Sequence, residues 1–181
     1  RGVIAQSNDS YLELIQDTEG NDKYPLFIQQ LLGEMALSLN LMASNLKISG
    51  VISLQIRGNA YLKNAFVEVT LPEDVAHEED LSTPPSPFLI RGIAQFNEAI
   101  EKPDAIDLTQ WVGEKASLAI TMLPTHGQRY QGITAIEHPR LTQCLEAYYE
   151  QSEQLITKFW FQSDSQQVAG FMLQQLPAKP I

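Results

Sequence analysis

Residues 127–161, GQRYQGITAIEHPRLTQCLEAYYEQSEQLITKFWF, decide the fold. Tyr130 to Ile136 carries the β-branched and aromatic residues of a strand, with Gly127 permitting a turn before it and Gly132 a close backbone approach within it. Pro139 suits a first helical position, where its missing N–H costs nothing. Leu141, Cys144, Leu145, Tyr148 and Tyr149 then recur at three- and four-residue steps, while Glu146, Glu150 and Glu153 fall on the other side. That spacing predicts an amphipathic helix of about three turns. Past Ser152, Glu153 and Gln154 the period drops to two, Phe159 and Phe161 sharing one strand face and Trp160 taking the other.

Upstream, Pro25 is placed to start a helix through Ile28, Leu31, Leu32, Met35, Leu39, Met42 and Leu46. Its ~22 residues would span about 33 Å, enough to cross a small domain. Glu34 is almost the only charge inside it, and a helix so apolar on most sides belongs between layers. Ser49-Gly50 ends it. Val51 to Gly58 alternates, with Ile52, Leu54 and Ile56 inward, and the Gly58-Asn59 turn leads to a partner strand over 65–71, an antiparallel hairpin. Strands also read over 1–6, 88–96, 116–122 and 167–176. The near-repeat of RGVIAQ at 1–6 and RGIAQF at 91–96 suggests two related halves. The order of these elements allows an α+β fold.

The chain has 181 residues, 44% hydrophobic and 19% charged, with a net charge of −10. That length suits one domain with a sizeable core. The acidic balance argues against nucleic acid as a general partner. No run approaches the ~20 apolar residues of a membrane span and no signal peptide opens the chain, so the expectation is a soluble, cytoplasmic protein without membrane partners. The acidic, proline-rich segment 72–87, PEDVAHEEDLSTPPSP, reads as an inserted, solvated loop.

Motifs for catalysis are missing: the sequence has no nucleophile elbow, phosphate-binding loop, dinucleotide fingerprint or His-Glu-x-x-His pair. Glu146 and Glu150, one helical turn apart, are the one pair from which an acid–base hydrolase might be built. On the polar side of an amphipathic helix they read first as a solvated face. His77, Glu78, Glu79 and Asp80 offer hard-metal donors, but adjacent loop positions do not converge on an ion without scaffolding. His77, His126 and His138 read as surface residues. Cys144, on the apolar side of its helix, reads as an inert core thiol, with Arg140 one turn away as the only cation placed to activate it. The reading is therefore of a protein that is not an enzyme, with no catalytic and no metal-ligating residues assigned.

The 127–161 stretch resembles the redox-regulated heat-shock holdases of bacteria, the thirty-three-kilodalton chaperonin family. The resemblance rests on Gly127, Arg129, Tyr130, Gln131 and Gly132, then Leu145, Glu146 and Tyr148, then Ser152, Glu153, Gln154 and Leu155. The run from Leu108 to Gly113 also resembles a family turn. Two features depart: the 72–87 loop is longer than the family's connection, and Ile156 stands where the family has proline. The resemblance implies an α+β fold of two mainly antiparallel sheets with helices packed between or across them, ATP-independent holding of unfolding client proteins under oxidative and heat stress, and a homodimer. It implies that this chain, over 1–181, is the N-terminal core domain without the linker and the C-terminal zinc domain. Zinc would be a cofactor of the full-length member, bound by four cysteines this chain does not have, and no cofactor is expected here. The alternative is a dimerisation or structural domain with no client binding of its own. The client-binding residues are not assigned, because a core stripe and a client stripe share one period.

Overall fold

The computed structural model describes residues 1–7, 9–14, 24–46, 48–72 and 89–177. Its elements run β1 (Gly2–Ser7), α1 (Asp9–Leu14), α2 (Leu26–Ala43), β2 (Gly50–Arg57), β3 (Leu62–Leu71), β4 (Leu89–Phe96), α3 (Leu108–Val112), β5 (Ser117–Pro124), β6 (Tyr130–Ala135), α4 (Leu141–Tyr148), β7 (Thr157–Ser163) and β8 (Val168–Gln174). All pairings are antiparallel, in a three-stranded sheet of order β1-β8-β7 and a five-stranded sheet of order β4-β3-β2-β5-β6. This is the α+β architecture the sequence predicts. The 72–87 loop beyond Pro72, with its His77, Glu78, Glu79 and Asp80 set, lies outside the described residues.

The core is built around α2. One side of it meets β2, β3 and β4, the other β1, β7 and β8, and Ile28, Leu32, Met35, Leu37, Leu39 and Leu41 are fully buried. By length and hydropathy α2 is apolar enough to cross a membrane, but most of it is covered by the two sheets. It has the composition of a core helix because it is packed on nearly every side. Pro25 sits at the N-cap, its carbonyl accepting from Ile28 and Gln29 at 2.8 and 3.0 Å. The helix stops at Ala43, short of the expected Leu46. There Asn45 and Leu46 N–H donate to Met42 and Ala43, tightening the last turn.

The hairpin matches its prediction. Ile52, Leu54 and Ile56 of β2 and Ala65, Val67 and Val69 of β3 are buried on the face toward α2, with Ile52 opposite Val69 and Leu54 opposite Val67. The expected duplication is not found. β1 joins the small sheet beside β8, whereas β4 is the outer strand of the large sheet beside β3, so the two Arg-Gly strands occupy unrelated positions. The shared glycine, isoleucine and alanine suit any half-buried edge strand and do not specify which sheet it joins.

Two local readings are also corrected. Pro139 is not the first helical residue: Arg140 is the N-cap, extended at φ −124°, and α4 begins at Leu141. The Pro139 carbonyl instead accepts the Leu108 N–H of α3 at 2.9 Å, which holds it outside the helix. The run 108–113 is a short helix rather than only a turn. Asp107 caps it by accepting from Thr109 N and Oγ1 at 2.9 and 2.7 Å. That helix seats Trp111 against Phe27 of α2, stacked at 4.5 Å.

Candidate functional site

The residues that carry the family resemblance form a clamp between the large sheet, α4 and the small sheet. Gly127, at φ 117°, turns the chain between β5 and β6 in a conformation that favours glycine. Arg129 follows it on the surface. Gln131 donates to Thr121 Oγ1 across β5 and β6 at 2.9 Å. Tyr130 and Tyr148 join hydroxyl to hydroxyl at 2.7 Å. Gly132 lies directly under the Tyr148 ring, where a Cβ would come within 2.6 Å of Cε2. The buried Tyr148 therefore needs glycine beneath it and a hydroxyl beside it. Burial, and then the neighbouring Tyr130 hydroxyl, raise the Tyr148 pKa.

Leu145 is fully buried. Glu146, read from its spacing as a solvated residue, is not one: its side chain is 20% exposed, and its carboxylate accepts from Lys158 Nζ at 2.6 Å and from the Phe159 backbone N–H at 3.2 Å. β7 returns beside α4 and supplies both donors. The helix then widens into one π-helical turn over 149–153, carrying the exposed Ser152 and Glu153, and closes at Gln154 in the left-handed region at φ 53°. Gln154 and Leu155 thus reverse the chain into β7. Glu150 is exposed and makes no pair with Glu146. Nothing brings these two carboxylates together over a cleft.

Cys144 is 1% exposed, and its thiol donates to the His138 carbonyl at 3.6 Å. Burial pushes its pKa up to about 11, against any activation by Arg140. His126 is exposed and His138 half-buried. A zinc ion, which the resemblance attaches to the longer family member, does not fit the residues described: no three His, Cys, Asp or Glu side chains converge among them, and the one cysteine faces a carbonyl in the core.

Two features were not assigned from the sequence. The first is an apolar strip on the outer face of the small sheet. Ile4, Phe171 and Trp160 stand directly opposite one another across β1, β8 and β7, and Trp160 stacks on Phe171 at 5.5 Å. Leu173 lies next along β8. Ile4 is 79% exposed, Trp160 52% and Leu173 46%, with Ile156 and Leu176 exposed at the strand ends. The alternation of 159–161 placed Trp160 opposite the buried phenylalanines, but only the pairing of β1 with β8 and β7 aligns it with Ile4. The second feature is a cleft of about 430 Å³ where α2, the start of α4 and β7 meet, with Glu34 in its wall. The lone charge in an apolar helix was the sequence signal for it.

These features define a class: an α+β domain of two antiparallel sheets clasping a buried helix, with an exposed apolar strip on the outer face of the smaller sheet. Within it, the chain belongs to the Hsp33 protein family, which it matches over residues 1–180. A 33 kDa chaperonin of Shewanella baltica strain OS155 is 36% identical over 179 residues, covering 99% of this chain and 55% of that protein. A 33 kDa chaperonin of Hahella chejuensis is 38% identical over 164 residues, covering 91% and 51%. The crystal structure of the 33 kDa chaperonin from Thermotoga maritima superposes with a TM-score of 0.63 at 18% identity over 91% of this chain and 51% of that one, a likeness of fold. The chain spans about half the length of the curated relatives it matches.

Proposed function

We propose that this chain is the client-holding platform of an ATP-independent, redox-regulated holdase chaperone of the cytoplasm, acting on unfolding proteins without catalysis. The observation that carries the reading is the strip of Ile4, Phe171, Trp160 and Leu173 on the small sheet. Unfolding proteins expose apolar side chains and unpaired backbone, and a flat, uncovered apolar sheet face can bury the former without selecting a sequence. Membership of a family whose relatives are named chaperonins supports the same reading. A face of this kind left permanently bare favours self-association. Regulation therefore requires a cover that can be withdrawn, and we place that cover and its zinc-based trigger in the part of the relatives this chain does not span. A homodimer is part of this proposal, since self-association is the simplest way to enlarge the face.

Light scattering of a thermally unfolding client tests it. The chain is expected to suppress aggregation at stoichiometric ratio without ATP or oxidant, and the I4S/L173S double variant to lose most of that suppression while keeping its far-UV spectrum. Both positions face solvent, so folding survives the change. Failure of the parent chain to suppress scattering while its sedimentation shows a dimer would sink the proposal in favour of a purely structural, dimer-forming domain.

A further inference from the structure

The outer strands of the two sheets are β1 and β7 in the small one, β4 and β6 in the large one, and their unpaired edges are not closed alike. On β7 the Phe159 N–H, pointing away from β8, is taken by the Glu146 carboxylate at 3.2 Å. On β4 the Ala94 N–H is taken by the Tyr24 hydroxyl at 3.3 Å. β6 is bracketed by the exposed charges of Arg129 and Glu137. β1, GVIAQS, contains neither proline nor charge, and among the described residues nothing caps its edge at Gly2 and Ile4. Unpaired N–H and C=O groups on such an edge are a template for another strand. Which groups these are follows from the first pair of the ladder. Arg1 N donates to the Gln174 carbonyl at 2.7 Å and Gln174 N to the Arg1 carbonyl at 2.8 Å. Pairs that exchange both bonds alternate in an antiparallel ladder. Val3 and Ala5 therefore bond to Met172 and Gly170, while the backbone N–H and C=O of Gly2 and Ile4 face away from β8. The Ile4 side chain on this edge ends the exposed row through Phe171 and Trp160. In a chain of net charge −10, the three strands of the small sheet carry one charge, Lys158, and no acid.

We propose that the Gly2–Ile4 edge takes an extended, uncharged segment of an unfolding protein as a further strand of the small sheet, antiparallel to β1. The segment residue opposite Ile4 exchanges both backbone bonds with it and carries its side chain on the same face. Every second side chain of the segment then continues the row of Trp160, Phe171 and Ile4. Main-chain bonds hold the segment without reading a sequence, and the row selects apolar residues at alternate positions. An unfolded chain brings unpaired N–H and C=O groups along with its apolar side chains, and burying the latter on the strip requires partners for the former. The edge supplies them. A second copy of this chain, which brings the same net charge of −10, is the competing occupant. The inference rests on the client-holding reading for the source of the segment and adds how the client backbone is held.

Backbone methylation of a capped hexapeptide, Thr-Val-Thr-Leu-Thr-Val, tests the edge on the wild-type chain. With the Val and Leu side chains on the strip, their N–H groups face β1 and those of the threonines face solvent. Methylating the three Val and Leu nitrogens is expected to weaken binding about tenfold or more, through lost bonds and a blocked edge, whereas methylating the three Thr nitrogens leaves it within about twofold. The two peptides carry the same side chains and the same number of methyl groups, so apolar burial alone does not separate them. Amide exchange followed by NMR reads the same event from the protein side: the Ile4 N–H exchanges fast in the free chain and about tenfold slower with the unmethylated peptide bound. I4P removes a donor that lends no bond to β8, so the ladder survives, and it should weaken the unmethylated peptide as methylation does; I4T, which keeps the backbone, should preserve the difference between the methylated pair. Equal weakening by the two methylated peptides, weakening by the Thr set instead, no saturable binding, or an Ile4 N–H that becomes protected as protein concentration rises, the mark of a second copy on the edge, would each overturn the proposal. Client holding is judged separately: a chain that suppresses client aggregation but shows no effect of methyl position loses only the added strand, and one that binds the peptide edge-on but suppresses nothing loses the client-holding reading.

Discussion

Replacing Gly132 with alanine measures what the family motif does in this protein. The new Cβ would lie 2.6 Å from Tyr148 Cε2, 2.7 Å from Tyr148 Oη and 2.9 Å from Tyr130 Oη. Ordinary carbon contacts are at roughly 3.5–4.0 Å, so the ring must retreat by about 1 Å. Tyr148 is 2% exposed and is packed edge-on to Tyr149 at 5.7 Å, which leaves it little room. Overpacking of this kind costs about 1–3 kcal/mol. Displacing the ring also breaks the Tyr130–Tyr148 hydroxyl pair, worth about 1 kcal/mol. Against this, alanine restricts the unfolded chain and returns about 0.4–1 kcal/mol. The expected net loss is about 1–3 kcal/mol, read from urea unfolding followed by tyrosine and tryptophan near-UV signals. Y148F serves as the comparison, losing only the hydroxyl pair and about 1 kcal/mol. If G132A lies within about 0.5 kcal/mol of wild type, a typical surface-site change, the clamp is not the reason for the motif. Client suppression per folded molecule should be unchanged in G132A, because these residues hold α4 rather than the apolar strip.

Glu146→Ala should cost about 1–3 kcal/mol because it strands the Phe159 N–H as well as the Lys158 pair, whereas Lys158→Ala, at a 54% exposed side chain, should stay within about 1 kcal/mol. Equal losses in the two variants, again by urea unfolding, would mean the ion pair and not the backbone bond ties α4 to β7. The Cys144 thiol, raised from 9.0 to about 11 by burial, stabilises the fold fully below its unfolded value and loses that contribution as pH rises from about 9 toward 11. Cys144→Ala should flatten that alkaline limb, and alkylation of the native thiol at neutral pH should be slow until denaturant is added. Asp164 works in the opposite sense: the N–H groups of Gln166 and Gln167 hold its carboxyl below the usual range. Its contribution is present above the unfolded carboxylate range and is lost as pH falls through the depressed value. Carboxyl NMR should show that titration, and Asp164→Asn should make the acid limb of stability shallower; an unshifted Asp164 resonance would contradict the turn described here.

By itself the sequence determined the elements whose signal is local. Periodicity gave the buried α2, the alternation of β2 and β3, the inward Phe159 and the outward Trp160, since a helix or strand face is written in residues three, four or two apart. Local chemistry also placed the Gly58 turn and the buried Cys144. Other properties were decided only by tertiary structure, because they depend on which distant segments meet. Glu146 looks solvated on its own helix and is engaged only when β7 returns with Lys158. Pro139 looks like a helix start until its carbonyl is taken by Leu108. The repeated Arg-Gly strands are alike in sequence, yet join different sheets according to their neighbours. Ile4, Phe171 and Trp160 are separated by many residues and become one surface through strand pairing alone. Which residues are apolar is written in the chain; which of them remain in water is decided by packing, because only the pairing of distant strands covers or uncovers a face.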